Sequence, residues 1–180
     1  MKTVIALSAF VAGILAQAPS SFGVMSTHSA SPVHLLPLTA RGGKFFLGGP
    51  GPTSYCPEQV QPNCPNGTET LLVGGDQTLS LSVMVPGGQQ VYVAPDGSLS
   101  YTAPHSAYVP EGSIRDGWYK TEGDMFGNLK FEKGLIACPA AGQGNGYQVF
   151  GQLAGLTFAP ECLGFNALTV NQTGPGAWEY

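Results

Sequence analysis

The sequence predicts an all-β fold: an antiparallel β-sandwich or closed barrel of about eleven or twelve short strands, with a β-trefoil as the alternative. Apolar and polar residues alternate over residues 79–85, which is the period of a strand with one buried face. Glycine and proline, with 26 and 15 residues, separate runs of strand-forming residues. No stretch after residue 18 has the spacing of an amphipathic helix. These observations together favour β structure.

The first eighteen residues have the pattern of a secretory signal peptide. Lys2 supplies a positive start, residues 4–15 an apolar core, and Ala16 and Ala18 a small-residue end. Cleavage after Ala18 fits the usual pattern, but Pro19 would follow the cut, so cleavage after Ala16 stays open. We therefore expect a signal peptide over residues 1–18 and a single secreted, β-rich domain over residues 19–180.

Composition excludes several classes of partner. Only 10% of the residues are charged and the formal net charge is −4, so a basic patch for nucleic acid is not expected. No second apolar run follows the signal peptide, so no membrane contact is expected after its removal. No cofactor motif occurs in the sequence.

The four cysteines, Cys56, Cys64, Cys138 and Cys162, suggest two disulfides in an oxidising compartment. Three pairings are open. The favoured one joins Cys56 to Cys64 and Cys138 to Cys162, because neighbours along the chain are the simplest partners in a series of hairpins. Zinc is a weaker alternative, since no C-x-x-C pair occurs.

Taken in order, the strand signals are bounded by glycine, proline and turn dipeptides. Pro37 is expected to break the second strand or to displace it to an edge, because proline lacks an N–H. Residues 48–67 and 103–116 read as long loops rich in glycine and proline. Besides a short start at 69–73, the expected strands are 22–28, 33–39, 44–47, 79–85, 91–94, 98–102, 118–121, 128–132, 135–138, 147–150 and 162–170.

The three strands at 79–85, 91–94 and 98–102 are expected to be consecutive and antiparallel. Pro95, Asp96 and Gly97 close the second hairpin, since proline presets φ for a turn and glycine accepts the left-handed conformation. The prediction is that Gly97 has a positive φ and that Asp96 is a turn residue.

The sequence contains no motif that indicates catalysis. G-x-S-x-G is absent, and most acidic residues stand at turns beside glycine. His28 and His34 could meet across a hairpin and hold a metal, but no acidic residue is near either of them, and ordinary strand or loop positions are favoured. We therefore assign no catalytic, cofactor-binding or metal-binding residue and expect no enzyme.

Exposed aromatic residues are the candidates for binding. Tyr108 and Trp178 are candidate sugar-stacking residues, whereas Trp118 begins a strand and is expected in the core. Two sequons, at Asn66 and Asn171, predict N-glycosylation of a secreted chain. The tail after Gly174 is short and carries no hydrophobic GPI signal.

Several segments follow one another in a familiar order, and with the cysteine frame they cover nearly the whole chain after residue 18. The segments are FGVMS at 22–26, SPVHL at 31–35, GGKFFLG at 42–48, VPGGQQVYV at 85–93, ACP at 137–139 and CLGF at 162–165. In these the sequence resembles the small secreted proteins of filamentous fungi labelled IgE-binding proteins, which are related to the PhiA-type phialide cell-wall proteins.

The resemblance implies a non-enzymatic protein of the fungal cell wall or culture fluid. It further implies a link to conidium-bearing cells, an allergen-like character with host IgE as a partner, and wall polysaccharide as a candidate partner. The chain departs from covalently anchored wall proteins, because it lacks serine- and threonine-rich stalks and a GPI tail. A structural or interaction protein is the leading interpretation, and a carbohydrate-binding module for wall glucan or chitin is the alternative.

Overall fold

The computed structural model describes residues 21–180, and the predicted signal peptide lies outside them. Within this range the chain forms twelve strands and one short 3₁₀ helix, Glu58–Val60. In chain order, β1 to β12 span Ser21–Thr27, Leu38–Arg41, Lys44–Leu47, Leu72–Leu81, Gln89–Val93, Leu99–Tyr101, Trp118–Thr121, Gly127–Phe131, Leu135–Pro139, Tyr147–Gly151, Leu163–Gly164 and Asn166–Gln172.

All twelve strands belong to one sheet in the order β1-β12-β8-β7-β4-β5-β6-β3-β10-β9-β11, with β2 paired to β3. Every pair of named strands is antiparallel. One further pairing, Phe22 with Leu72, brings β1 back to β4. The all-β class, the antiparallel pairing and the number of strands are thus confirmed. The twelve strands as a whole do not close into the barrel that was one of the expected arrangements, because β1 and β11 are not paired with each other among residues 21–180. The pairing of β1 with β4 joins only five strands, β1, β12, β8, β7 and β4, in a ring.

Strand β4 differs most from expectation, since it merges the start at residues 69–73 with the run from Leu79. It pairs in turn with β1, β7 and β5. Its middle bends where Gly74, Gly75 and Gln77 have φ of 102°, 96° and 68°. A Cβ on Gly74 would lie 2.6 Å from the carbonyl oxygen of Thr78, so the bend requires glycine there.

Two other strands have different bounds from those expected. The second begins at Leu38 and not at residue 33, because the buried hydroxyl of Ser26 bonds to Val33 and Leu36 and holds the preceding residues in a loop. The expected strand at 162–170 is divided at Phe165: β11 pairs with β9, and β12 then pairs with β1 and β8. The chain therefore crosses from one part of the sheet to the other at that residue.

The core consists of the inward-facing residues of nearly every strand. Trp118 is fully buried, as expected, and its ring packs against Phe131 with centroids 4.9 Å apart. Burial of such apolar area is the main stabilising contribution, at about 25 cal/mol per Å². The largest fully buried apolar side chains are Trp118, Phe22, Phe45, Leu47, Leu72, Leu79, Val33, Val91, Val93 and Val149.

Both favoured disulfides, Cys56–Cys64 and Cys138–Cys162, are present, and residues 21–180 contain no free cysteine. The first lies within the loop at residues 48–67, and the second joins β9 to the residue before β11. Among residues 21–180, no helix has the length and apolar character needed to cross a membrane.

The last residues of the sequence form an extended segment, residues 174–180, that docks onto the sheet. The N–H groups of Val85 and Tyr55 bond to the carbonyl oxygens of Trp178 and Glu179, at 2.9 and 3.0 Å. Ala177 is fully buried and also forms a parallel bridge with Val83. The strand expected over residues 79–85 ends at Leu81 because this segment takes up the hydrogen bonds beyond it.

Candidate functional site

The most aromatic surface of the described chain is an open groove of about 460 Å³, here called the tyrosine groove. Its walls come from the β2–β3 turn, β5, β6, the following loop and the last residue of the sequence. No Asp, Glu, His or Cys side chain is among its lining residues. The side chains that define it are those of Lys44, Tyr92, Tyr101, Ser106, Tyr108 and Tyr180.

The pairing register of β3, β6 and β5 determines which side chains meet in part of this groove. Lys44 of β3 lies opposite Ser100 of β6, and Ser100 lies opposite Tyr92 of β5. Residues opposite each other on adjacent antiparallel strands share a face. Lys44 and Tyr92 therefore stand on one face of three neighbouring strands, separated by the small side chain of Ser100.

Two of the tyrosines are structural. Tyr101 packs edge-on against Phe45, with ring centroids 5.3 Å apart, and its hydroxyl accepts a hydrogen bond from the Gly43 N–H at 3.1 Å. The Tyr180 hydroxyl donates to the carbonyl oxygen of Glu69. Burial raises the pKa of Tyr101, and it raises the pKa of Tyr180 to about 12. Both phenols remain neutral and serve as the floor of the groove.

Tyr108 differs from those two because 75% of it is exposed. It lies in the loop after β6, where the Ser106 hydroxyl accepts a hydrogen bond from its N–H at 3.1 Å. Tyr92 is half-buried on the same groove. Tyr108 and Tyr92 are thus the rings with free surface, and Tyr108 is one of the two residues that the sequence proposed for stacking on sugars.

Trp178, the other proposed stacking residue, lies outside the lining of the groove. It is half-buried, and its carbonyl oxygen accepts hydrogen bonds from the N–H groups of Met84 and Val85. The structure therefore does not bring Trp178 and Tyr108 together in one groove.

A chain of hydrogen bonds connects Lys44 to an acid behind the groove. The Lys44 ammonium donates to the Ser98 hydroxyl at 2.5 Å, and that hydroxyl donates to the Asp96 carboxylate at 2.6 Å. Partial burial raises the pKa of Asp96, but the hydrogen bonds from Ser98 and the charge of Lys44 outweigh it and hold this pKa below its usual value. Asp96 therefore stays ionised and balances the charge of Lys44.

The same three residues do not make a hydrolase site. Ser98 is fully buried, so its hydroxyl offers no access to a substrate. Asp96 is a turn residue, as expected, and its carboxylate accepts the Ser98 N–H at 2.9 Å. Gly97 has a φ of 82°, which confirms the predicted left-handed conformation. Instead, the buried Ser98 and the Asp96 carboxylate hold the turn at Gly97 and the Lys44 ammonium in place.

The two histidines considered for a metal do meet, but as partners of each other and of the backbone. The Nδ1 atom of His34 accepts a hydrogen bond from the His28 N–H at 3.2 Å. The Nδ1 atom of His28 lies 2.7 Å from the carbonyl oxygen of Gly164. Residues 21–180 contain no group of three or more His, Cys, Asp or Glu side chains suited to a metal ion.

A second open groove, of about 500 Å³, lies beside His28. It is lined mainly by polar side chains and glycine, and Phe165 is the one aromatic ring among its residues besides the imidazole. It has no exposed stacking surface comparable to that of Tyr108, so the tyrosine groove is the stronger candidate.

The two sequon asparagines occupy different settings. Asn66 is exposed in the long loop that holds Cys56 and Cys64. Asn171 is exposed on β12, where its amide bonds to Lys120 and Glu122, both at 3.3 Å. Hydrogen bonds from Lys120 and Asn171 hold the pKa of Glu122 below its usual value.

Sequence reasoning missed Lys44, Tyr92 and Tyr180 as members of one groove. Lys44 and Tyr92 are 48 positions apart by number and meet only through the register of β3, β6 and β5. A strand alternation predicts which side of a strand a residue faces, but not which strand is its neighbour. Tyr180 gave no signal, because its tail carries no strand pattern.

Comparison with known proteins places the chain among secreted proteins. The sequence model of a family described as "PhiA-like secreted protein" matches residues 22–180. A protein of Arthroderma benhamiae, described as "Uncharacterized secreted protein", is 37% identical over 194 residues, which cover 97% of this chain and 97% of that protein. No solved structure matches the chain.

Proposed function

Because the chain belongs to the PhiA-like secreted protein family, we propose that it acts outside the cell as a non-catalytic interaction protein associated with the fungal cell wall. The observation that carries this proposal is the tyrosine groove. It offers aromatic surface and the ammonium of Lys44, whose charge Asp96 balances, but no Asp, Glu, His or Cys side chain that would serve as acid, base or nucleophile. Such a surface is best suited to binding a partner without catalysing a reaction on it.

Wall association is tested by fractionation. The protein is followed by antibody in culture medium, in a salt wash of intact walls and in walls boiled in detergent. We expect it in the medium and the salt wash, because its family is described as secreted and the proposed association with the wall is non-covalent. Recovery solely from enzymatically digested walls would contradict this non-covalent association.

A role in conidium-bearing cells is a finer proposal that rests on the resemblance to PhiA-type proteins. Deletion of the gene is expected to reduce the number of such cells, with hyphal growth unchanged. Equal conidiation in deletion and parent strains, on several media, would reject it. Recognition by host IgE is a separate proposal, tested by binding of patient sera to the purified protein, with the reduced and unfolded chain as control.

Carbohydrate binding is the second candidate function, and the exposure of Tyr108 favours it. Aromatic faces stack on the apolar faces of sugars, and such rings must be reachable from solvent. A pull-down on insoluble glucan and chitin tests it. Retention that is lost in Tyr108→Ala or in Trp178→Ala would support a carbohydrate-binding module and identify which of the two rings carries it.

Glycosylation at Asn66 and Asn171 is proposed from the sequons, and both residues are exposed. The test is the loss of mass on treatment with an N-glycosidase, followed by peptide mapping of each site. Variants Asn66→Gln and Asn171→Gln assign the glycans one at a time. An unchanged mass after the enzyme, on protein secreted by its natural host, would reject the proposal.

A further inference from the structure

We infer that the tyrosine groove binds a short segment of a neutral polysaccharide, with Tyr108 as its exposed stacking face and Lys44 as its hydrogen-bond donor. This inference rests on the carbohydrate-binding candidate proposed above, and it adds the site, the residues and the charge class of the ligand. Three features of the groove carry it: its shape, its rings and its balanced charge.

The shape suits a chain and not a small enclosed ligand. The groove has a volume of about 460 Å³ and is open to solvent. This volume falls within the range of ligand sites, roughly 300–1,000 Å³. Gly42 and Gly43 form its rim, and a Cβ built on either would meet no atom within 4 Å. An open groove with free space beside Gly42 and Gly43 leaves room for a ligand that extends beyond it.

The tyrosine rings of the groove are of two kinds: buried rings that hydrogen bonds hold in place, and a ring that is accessible to solvent. Tyr101 and Tyr180 are held by hydrogen bonds to Gly43 and Glu69, so they do not need a ligand to be ordered. Tyr108 is 75% exposed, and its phenol has no hydrogen-bond partner within residues 21–180. An exposed ring that shares a groove with ordered, buried rings can stack on a sugar while the rest of the groove stays in place.

The balanced charge decides between neutral and acidic polysaccharides. Lys44 is the one charged side chain that lines the groove. An ammonium has three N–H donors, and Ser98 accepts one of those of Lys44. Because the Asp96 carboxylate lies one hydroxyl away, it offsets the positive potential in the groove. The remaining donors suit hydroxyl and ring oxygens, whereas a polyanion finds little net attraction.

The test is calorimetric titration of the secreted protein with three soluble hexasaccharides. They are one of glucose from wall glucan, one from chitin and one of galacturonic acid. We expect at least one neutral hexasaccharide to bind, and the acidic one to bind no more tightly than it. Acidic binding about tenfold tighter than neutral binding, and weakened by salt, would overturn the charge class.

Four variants locate the site. Tyr108→Ala should weaken binding about tenfold or more, and Tyr108→Phe by less, because the ring carries most of the contact. Lys44→Met should weaken it about three- to tenfold, the size of one hydrogen bond. Tyr55→Ala is the matched control, because Tyr55 is 59% exposed and lies outside the groove. Equal affinities for Tyr108→Ala and the parent would overturn the assignment of the groove.

Failure of this inference is distinguishable from failure of the proposed function. If neither neutral hexasaccharide binds, the inference is overturned, while recovery in the salt wash of walls still supports wall association through another surface. If a hexasaccharide binds but the protein is absent from walls, the assignment of the groove is supported and the proposed wall association is overturned. Near-ultraviolet circular dichroism of each variant separates lost binding from lost folding.

Discussion

The two long loops of the molecule are ordered in different ways. The disulfide loop, residues 48–67, is closed by Cys56–Cys64 and bonded along its length: Thr53 to Ala40, Tyr55 to Glu179 and Gly67 to Gly176. The tyrosine loop, residues 103–116, has no disulfide. It is bonded to the sheet near its end, where Ile114 and Val93 exchange two hydrogen bonds of 2.9 and 2.8 Å.

The difference separates a structural loop from a binding loop. The disulfide loop joins the docked last segment to the sheet, so its order stabilises the fold. The tyrosine loop leaves Tyr108 exposed, between local turns at Ala103–Ser106 and Pro110–Ser113. Binding residues are disproportionately found on loops that a rigid scaffold positions. Stability should therefore depend on the first loop and its contacts, and ligand affinity on the second.

The largest contrast is expected between two tyrosines. Tyr180→Ala removes a buried ring that belongs to the last segment, and should lower the free energy of unfolding by about 3–5 kcal/mol. Tyr108→Ala should change it by less than about 0.5 kcal/mol, because that ring is exposed. Urea unfolding of both variants measures the contrast. Equal losses would show that the tyrosine loop is as integral to the fold as the last segment.

Removal of the first disulfide comes next. Cys56→Ser with Cys64→Ser should cost about 2.5 kcal/mol, the loop-closure entropy expected for a separation of 8 residues. The matched control is Cys138→Ser with Cys162→Ser, where the separation of 24 residues predicts about 3.5 kcal/mol. If the first double variant melts like the parent, the hydrogen bonds to the last segment order the disulfide loop without the covalent bond.

A substitution at Gly97 tests the turn between β5 and β6, the strand that precedes the tyrosine loop. Gly97→Val should cost about 1–3 kcal/mol, since its φ is 82° and strain at such positions has this size. A Cβ there would also lie 2.7 Å from Leu156 Cδ1 and 3.1 Å from the Gly151 carbonyl oxygen. Gly97→Asn should cost less, because Asn tolerates the left-handed region. Equal melting temperatures for both variants and the parent would show that the turn adapts to a side chain at residue 97 without loss of stability.

The smallest effect is expected from the charge behind the groove, and it depends on pH. The pKa of Asp96 is lower in the folded state than in the unfolded chain, where it is about 3.9. Its contribution to stability is therefore present above that value and is lost as pH falls through the folded pKa. The melting temperatures of Asp96→Asn and the parent should differ at neutral pH, and the difference should shrink only as pH falls below about 3.9 and through the lower folded-state pKa. A difference in melting temperature that grows as pH falls would contradict a lowered folded-state pKa of Asp96.

The sequence predicted those features that depend on neighbouring residues. Short runs of strand-forming residues between turns predicted the four strands from Trp118 to Gly151 to within one residue, and the pair at Asp96 and Gly97 predicted the turn. Proximity along the chain predicted both disulfides. In each case the interacting residues lie within about 25 positions of each other, so local pattern carries the information.

The features that were missed depend on distant residues. The bend of β4 at Gly74 and Gln77 follows from its pairing with three different strands. The docking of the last segment depends on Gln89, whose buried amide bonds to both the N–H and the carbonyl oxygen of Tyr180 at 2.8 Å. Neither Gln77 nor Gln89 lies in a local sequence pattern that would reveal its partner. The tyrosine groove was therefore visible in the sequence only as the exposed ring of Tyr108.

The pairing of β1 with β12 has a consequence for when the protein can fold. Thr27 and Asn166 are separated by 139 residues, and Ser21 and Gln172 by 151. During synthesis from the amino end, β1 emerges early but lacks most of its ladder until β12 has been made. Loop closure over such a distance is slow compared with the formation of a local hairpin. The first strand to be synthesised is thus among the last to be paired, and the nascent chain carries an unpaired edge for most of its synthesis.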